Sequence, residues 1–167
     1  SQLKSYAPTA RRDFITAVTA QAERLGIRSG EDDQRSFAEA TTHGDVLLID
    51  GQAFPKSISG PRSELIKRVQ AQGFQATMDA GAYTWFNRLV ALRYMEVHGF
   101  LKHGYRVLSR KDAQARPEIL DHVLDADLGF SEAEKAQVIE LKLDGSKDEE
   151  LYRFVLKKQC EQLHQAM

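Results

Sequence analysis

From Phe14 onward the chain repeats apolar residues at helical spacing: Phe14, Val18, Ala22 and Leu25 fall on one face. Pro8 suits the first turn of that helix, where its missing N–H is not needed, and Gly26 is a natural stop. Residues 27–44 hold Gly30, Glu31-Asp32-Asp33 and Thr41-Thr42-His43-Gly44, and read as a loop broken at most by a short helical turn. Val46-Leu47-Leu48-Ile49, then Asp50-Gly51, then Gln52-Ala53-Phe54 predicts a hairpin, because both turn positions accept φ > 0. A lone hairpin is marginal in water, so it must lean on helices. Pro61 opens a second helix carrying Leu65, Ile66 and Val69, and Gly73 ends it. The strongest segment runs from about Met78 to His98 and ends at Gly99. There Tyr83, Phe86, Val90, Tyr94 and Val97 form one stripe, and Trp85, Leu89 and Leu92 a second. A helix apolar over that much of its circumference is expected to be buried by several neighbours, with Trp85 inside. Its aromatics then read as core, not as a base-stacking platform.

Arg106-Val107-Leu108 resembles a short strand, and Pro117 begins a short helix with Ile119, Leu120 and Val123. Ser131 to Glu134 and Ser146 to Glu149 match the capping-box pattern and mark two further helix starts. The prediction is a mainly α fold in one domain, 1–167. About six helices pack around a central buried helix (about 78–98), with one small β-hairpin near 46–54. The last helix reaches Met167 with no residue to close it, a pattern expected both of natural C-termini and of a segment cut from a longer polypeptide.

Composition narrows this picture little. The 167 residues fit one domain or two very small ones. No apolar run approaches the ~20 residues of a membrane span, and no signal peptide follows the start. Cys160 is the single cysteine, which excludes an intrachain disulfide and a Cys-rich zinc site, so a reducing, cytoplasmic setting is expected.

Charge layout adds more. The net charge of −1 divides into −2 over residues 1–50 (6 basic, 8 acidic), +7 over 51–111 (10 basic, 3 acidic) and −6 over 112–167 (7 basic, 13 acidic). A central basic block of that size faces either a polyanion or the acidic C-terminal block. The candidate phosphate contacts are Lys56, Arg62, Lys67, Arg68, Lys102, Arg106, Arg110 and Lys111. Arg88 and Arg93, on the central helix, are set aside as candidates for internal ion pairs.

Catalytic chemistry has no foothold in the pattern. The five histidines, His43, His98, His103, His122 and His164, lack metal-binding spacing. Asp121 and His122 are helix neighbours, which do not face each other. Cys160 lies on the apolar side of the last helix and reads as a small buried hydrophobe. No nucleophile elbow, dinucleotide fingerprint or phosphate-cradling loop occurs.

One stretch goes beyond class. Ala82-Tyr83-Thr84-Trp85-Phe86-Asn87-Arg88-Leu89 and its continuation to Leu101 resembles a helix near the N-terminus of the PglX family. These are the adenine-specific DNA methyltransferases of BREX phage-defence systems. The resemblance extends through Tyr6-Ala7-Pro8, Arg11 to Phe14, Arg68 to Phe74, His103 to Ser109, Ile119 to Val123 and Glu140 to Arg153. Gln159-Cys160 and Leu163-His164 continue it. It implies a much longer enzyme that binds S-adenosylmethionine and methylates N6 of adenine in double-stranded DNA, working with other defence proteins. The Asn-Pro-Pro-Tyr-type motif that grips a flipped base is absent here, as is the glycine-rich cofactor turn. The resemblance therefore implies a helical N-terminal domain with no catalytic residue, no metal site and no cofactor of its own.

Overall fold

The computed structural model describes residues 2–30, 35–112 and 116–166. The Glu31-Asp32-Asp33 stretch lies outside the described residues. The chain divides into two compact units, residues 1–86 and 87–167.

The first unit opens with helix α1 (Gln2–Arg24), which begins before Pro8 rather than at it. Strands β1 (Ile27–Ser29), β2 (Arg35–Phe37), β3 (Ala40–His43), β4 (Val46–Ile49) and β5 (Gln52–Pro55) follow, then helix α2 (Ser59–Gln72). β1 and β2 pair antiparallel, with Ile27 opposite Phe37. β3, β4 and β5 form an antiparallel meander, Ala40 facing Ile49 and Ile49 facing Gln52. The expected hairpin is present. Asp50 (φ 49°) and Gly51 (φ 76°) supply the two left-handed residues of its turn. The 27–44 segment is a correction, because it carries β1, β2 and β3. Strands of three or four residues are too short for a period of two to stand out.

The core of this unit joins Ala22, Ile27, Val69, Phe74 and Met78, with Val18, Leu25, Phe37, Leu65 and Ile66 packed against it. Gly26 (φ +70°) makes the corner from α1 into β1. A Cβ there would sit 2.5 Å from the Ala38 Cβ and 2.8 Å from the Ile49 Cγ2, so only glycine fits.

Helix α3 (Phe74–His98) starts just after Gly73, earlier than expected, and its residues belong to both units. It is buried along one face rather than all round, which corrects the central buried helix. Phe74, Met78 and Ala82 are buried in the first unit, and Leu92 and Glu96 in the second. Tyr83 is 70% exposed, Val90 51%, Tyr94 56% and Val97 50%. Phe86 is half-buried, its ring edge-on to Phe14 at 5.7 Å, and Trp85 is 36% exposed rather than enclosed. At about 100° per residue, Val90 and Leu92 lie about 200° apart, so the exposed stripe faces away from the core.

The second unit continues with an irregular segment, helix α4 (Glu132–Leu143) and helix α5 (Asp148–Ala166). Its core gathers Leu92, Val107, Ile119, Leu128, Val138, Leu151 and Val155. The Ser131 capping box forms as expected, the Ser131 hydroxyl accepting from the Glu134 amide and the Glu134 carboxylate accepting from the Ser131 amide. The second one does not. Ser146 donates its hydroxyl to Asp144 at 2.6 Å, and α5 starts at Asp148. The segment after Pro117 is a 3₁₀ turn, Glu118–Leu120, so the described residues hold five α-helices rather than six. No strand forms at 106–108, because the Val107 and Leu108 amides donate to the Glu96 carboxylate instead. Among the described residues, no helix is long and apolar enough to cross a membrane.

Candidate functional site

The eight cations of the basic block divide between the units, Lys56, Arg62, Lys67 and Arg68 in the first and Lys102, Arg106, Arg110 and Lys111 in the second. Lys56 follows β5 with an exposed side chain. Lys67 and Arg68 stand on the outer face of α2, with side chains 73% and 68% exposed. Both approach Glu64, at 3.7 and 4.0 Å. Exposed pairs of this kind are worth little, so both cations remain accessible to an anion.

Arg62 is a correction. It is 7% exposed, and its guanidinium donates to the carbonyls of Leu25 (2.7 Å) and Ala38. Burial lowers its pKa, with the Asp50 charge acting the other way. It fastens the end of α1 and the β2–β3 connection to α2, and its guanidinium is turned inward to these carbonyls. The sequence held a signal for this, since Arg62 shares a helix face with Leu65, Ile66 and Val69 at spacings of three, four and seven.

In the second unit Lys102 and Lys111 are exposed. Arg106 is half-buried, its backbone N–H donating to the Glu118 carboxylate and its carbonyl accepting from the Ile119 amide. Arg110 is the second correction. Its guanidinium lies between Asp112 (3.0 Å) and Asp121 (2.5 Å), and the side chain is 19% exposed. Here the basic block does meet the acidic one. Asp121 is thereby turned to arginines, while His122 stacks on Tyr105 with ring centroids 4.1 Å apart. The two do not form a dyad. Cys160 is buried, as expected, and burial raises the pKa of its thiol.

Sequence reasoning missed two features. The first is Glu96, whose side chain is fully buried. It accepts from the Val107 amide (2.9 Å), the Leu108 amide (2.8 Å), the Ser109 hydroxyl (2.9 Å) and the Arg93 guanidinium (2.5 Å). Burial alone would raise its pKa, but the bonds from Leu108, Arg93 and Ser109 outweigh it and hold the carboxyl below its ordinary value. The spacing of Arg93 and Glu96 was the readable part. The second is the exposed face of α3. Tyr94 stacks on His98 at 4.1 Å, and Phe100, 58% exposed, lies 5.8 Å from His98 and 6.0 Å from Tyr94. With Val90 and Val97 this makes an apolar surface at the C-terminal end of the helix.

No protein-family model matches the chain. Two curated proteins do. The adenine-specific methyltransferase BrxX of Escherichia coli O9:H4 (strain HS) is 43% identical over 167 residues, all of this chain and 14% of that protein. The adenine-specific methyltransferase PglX of Lacticaseibacillus casei (strain Zhang) is 33% identical over 156 residues, 85% of this chain and 13% of that protein. The chain thus spans about one seventh of the length of the relatives it matches. It is a homologue, along its length, of a segment of the BrxX and PglX adenine-specific methyltransferases.

Proposed function

We propose that the chain is the N-terminal helical domain of a site-specific adenine N6 DNA methyltransferase of bacterial phage defence. In this reading it supports DNA placement or partner docking and leaves methyl transfer to the rest of the enzyme. The observation that carries the reading is 43% identity held over all 167 residues with a protein of which they make up 14%. S-adenosylmethionine belongs to the remaining polypeptide, since these residues contain neither the glycine-rich turn nor the base-gripping motif. The exposed Lys56, Lys67, Arg68, Lys102 and Lys111 support the DNA half of the reading. The apolar face of α3 supports the docking half. The enzyme would work in the cytoplasm, where its DNA is.

Calorimetry on the 167-residue chain should show no S-adenosylmethionine binding. Deleting these residues from a full-length BrxX-type enzyme should leave cofactor binding intact and strongly reduce methylation of its DNA site. Stoichiometric micromolar cofactor binding by the chain alone, or undiminished methylation after the deletion, would overturn the proposal. A non-enzymatic interaction module of a defence complex is the second reading, favoured by the net charge of −6 over residues 112–167.

A further inference from the structure

Residues 123–130 and helix α4 together line a groove of about 390 Å³ in the second unit. Val138 and Leu128 in its wall are buried, but two of its large apolar residues face solvent: Leu124 is 57% exposed and Ile139 46%. Leu143, one turn beyond Ile139 on the same side of α4, is 82% exposed and extends the apolar strip. Asp125 and Asp127 add negative charge to the groove. Lys135, the cation in its wall, pairs with Glu132 at 2.8 Å and is also attracted by Asp127, so Asp125 is the carboxylate most open to a partner. The surrounding residues 112–167 carry 13 acidic against 7 basic side chains, an excess that favours a cationic partner.

We propose that this groove docks a basic amphipathic helix of a separate protein. The helix seats apolar side chains against Leu124 and Ile139 and sets Lys or Arg residues against Asp125 and Asp127. The charge selects a separate partner over a permanent cover by the same polypeptide. Charged rims steer encounter and make association salt-sensitive, whereas obligate interfaces are larger and more apolar. The aromatic face of α3 has that second character; the α4 groove does not. The inference rests on the docking half of the function proposed above and is independent of methyl transfer.

The test uses the 167-residue chain and three labelled helical probes of about 18 residues, long enough to hold a helix. One carries Leu on one face and Lys on the other, the second Leu and Glu, the third Ser and Lys. The Leu/Lys probe should bind at least ~10-fold more tightly than either of the others, and should weaken several-fold as salt rises from ~50 to ~300 mM. Ile139→Ser and Asp125→Lys should each weaken it several-fold with unchanged circular dichroism, since both residues are exposed. Equal binding of the three probes, preference for Leu/Glu, or indifference to both substitutions overturns the proposal. So does loss of probe binding in a full-length BrxX-type protein, which would mean that the enzyme's own polypeptide covers the groove. Self-association abolished by Ile139→Ser would assign the groove to a second copy instead. All of these outcomes leave the deletion and methylation test untouched, so the two proposals fail separately.

Discussion

Arg62 and Glu96 hold irregular segments by the same means, an ionised side chain buried among backbone groups. Replacing Arg62 with alanine leaves the Leu25 and Ala38 carbonyls without their donor, and should cost ~2–4 kcal/mol in urea unfolding, as expected for bonds to a charged group. Arg62→Lys should recover little, because an ammonium cannot reproduce the two-pronged geometry. Neither change should alter DNA binding beyond its effect on folding. Glu96 gives a pH signature. Its folded pKa is depressed, so its contribution to stability is fully present above the ordinary glutamate range and lost as pH falls through the lowered value. The stability gap between the native chain and Glu96→Gln should therefore be wide near pH ~7 and close towards pH ~3. A gap constant across that range would mean that Glu96 is not ionised in the fold. The buried arginine was legible from its helix face, but the partners of Glu96 were not. Beyond Arg93, whose spacing is readable, they are backbone amides 11 and 12 residues away and a hydroxyl 13 away, which no helical spacing encodes.

At the scale of elements, α3 carries the main lesson. Its apolar residues divide between opposite faces, and periodicity alone cannot say which stripe meets the core of its own unit. The stripe richer in aromatics is the one facing solvent. Leu92→Ala should cost ~2–5 kcal/mol, as for any well-packed core leucine. Val97→Ser should cost no more than about 1 kcal/mol in thermal or urea unfolding, and Tyr94→Ser little more, the extra being the loss of its stacking on His98. A large cost at Tyr94 or Val97 would refute the exposed face. Local chemistry was easier to read. The Asp50-Gly51 turn and the Ser131 capping box each depend on residues within four positions of one another. The Ser146 pattern failed for an equally local reason, since the Ser146 amide, which the box would give to Glu149, donates to Asp144 instead.

For the whole molecule, the question is how much of the +7 block reaches outward. Counting charges overstated it by Arg62, which is buried, and Arg110, which is neutralised by two aspartates. Arg93 is likewise taken by Glu96. If about four of the remaining cations meet phosphates, log K for DNA should fall against log salt with a slope of about −4. Reversing Lys67 and Arg68 to glutamate should flatten that slope by about two, while in a full-length enzyme the methylated sequence stays the same. An absence of mobility shift at low salt would remove DNA placement from the proposed role and leave docking alone.

The strand order also bears on how the chain acquires its structure. Among the described residues, each strand of the first unit pairs with its neighbour in sequence, β1 with β2 and β3 to β4 to β5. Closing such short loops costs little entropy, and folds rich in local pairings assemble in milliseconds or faster. Such a unit has no need to wait for distant polypeptide before its backbone amides find partners. Within a longer polypeptide, a unit of that kind is expected to form ahead of parts whose pairings are more distant in sequence.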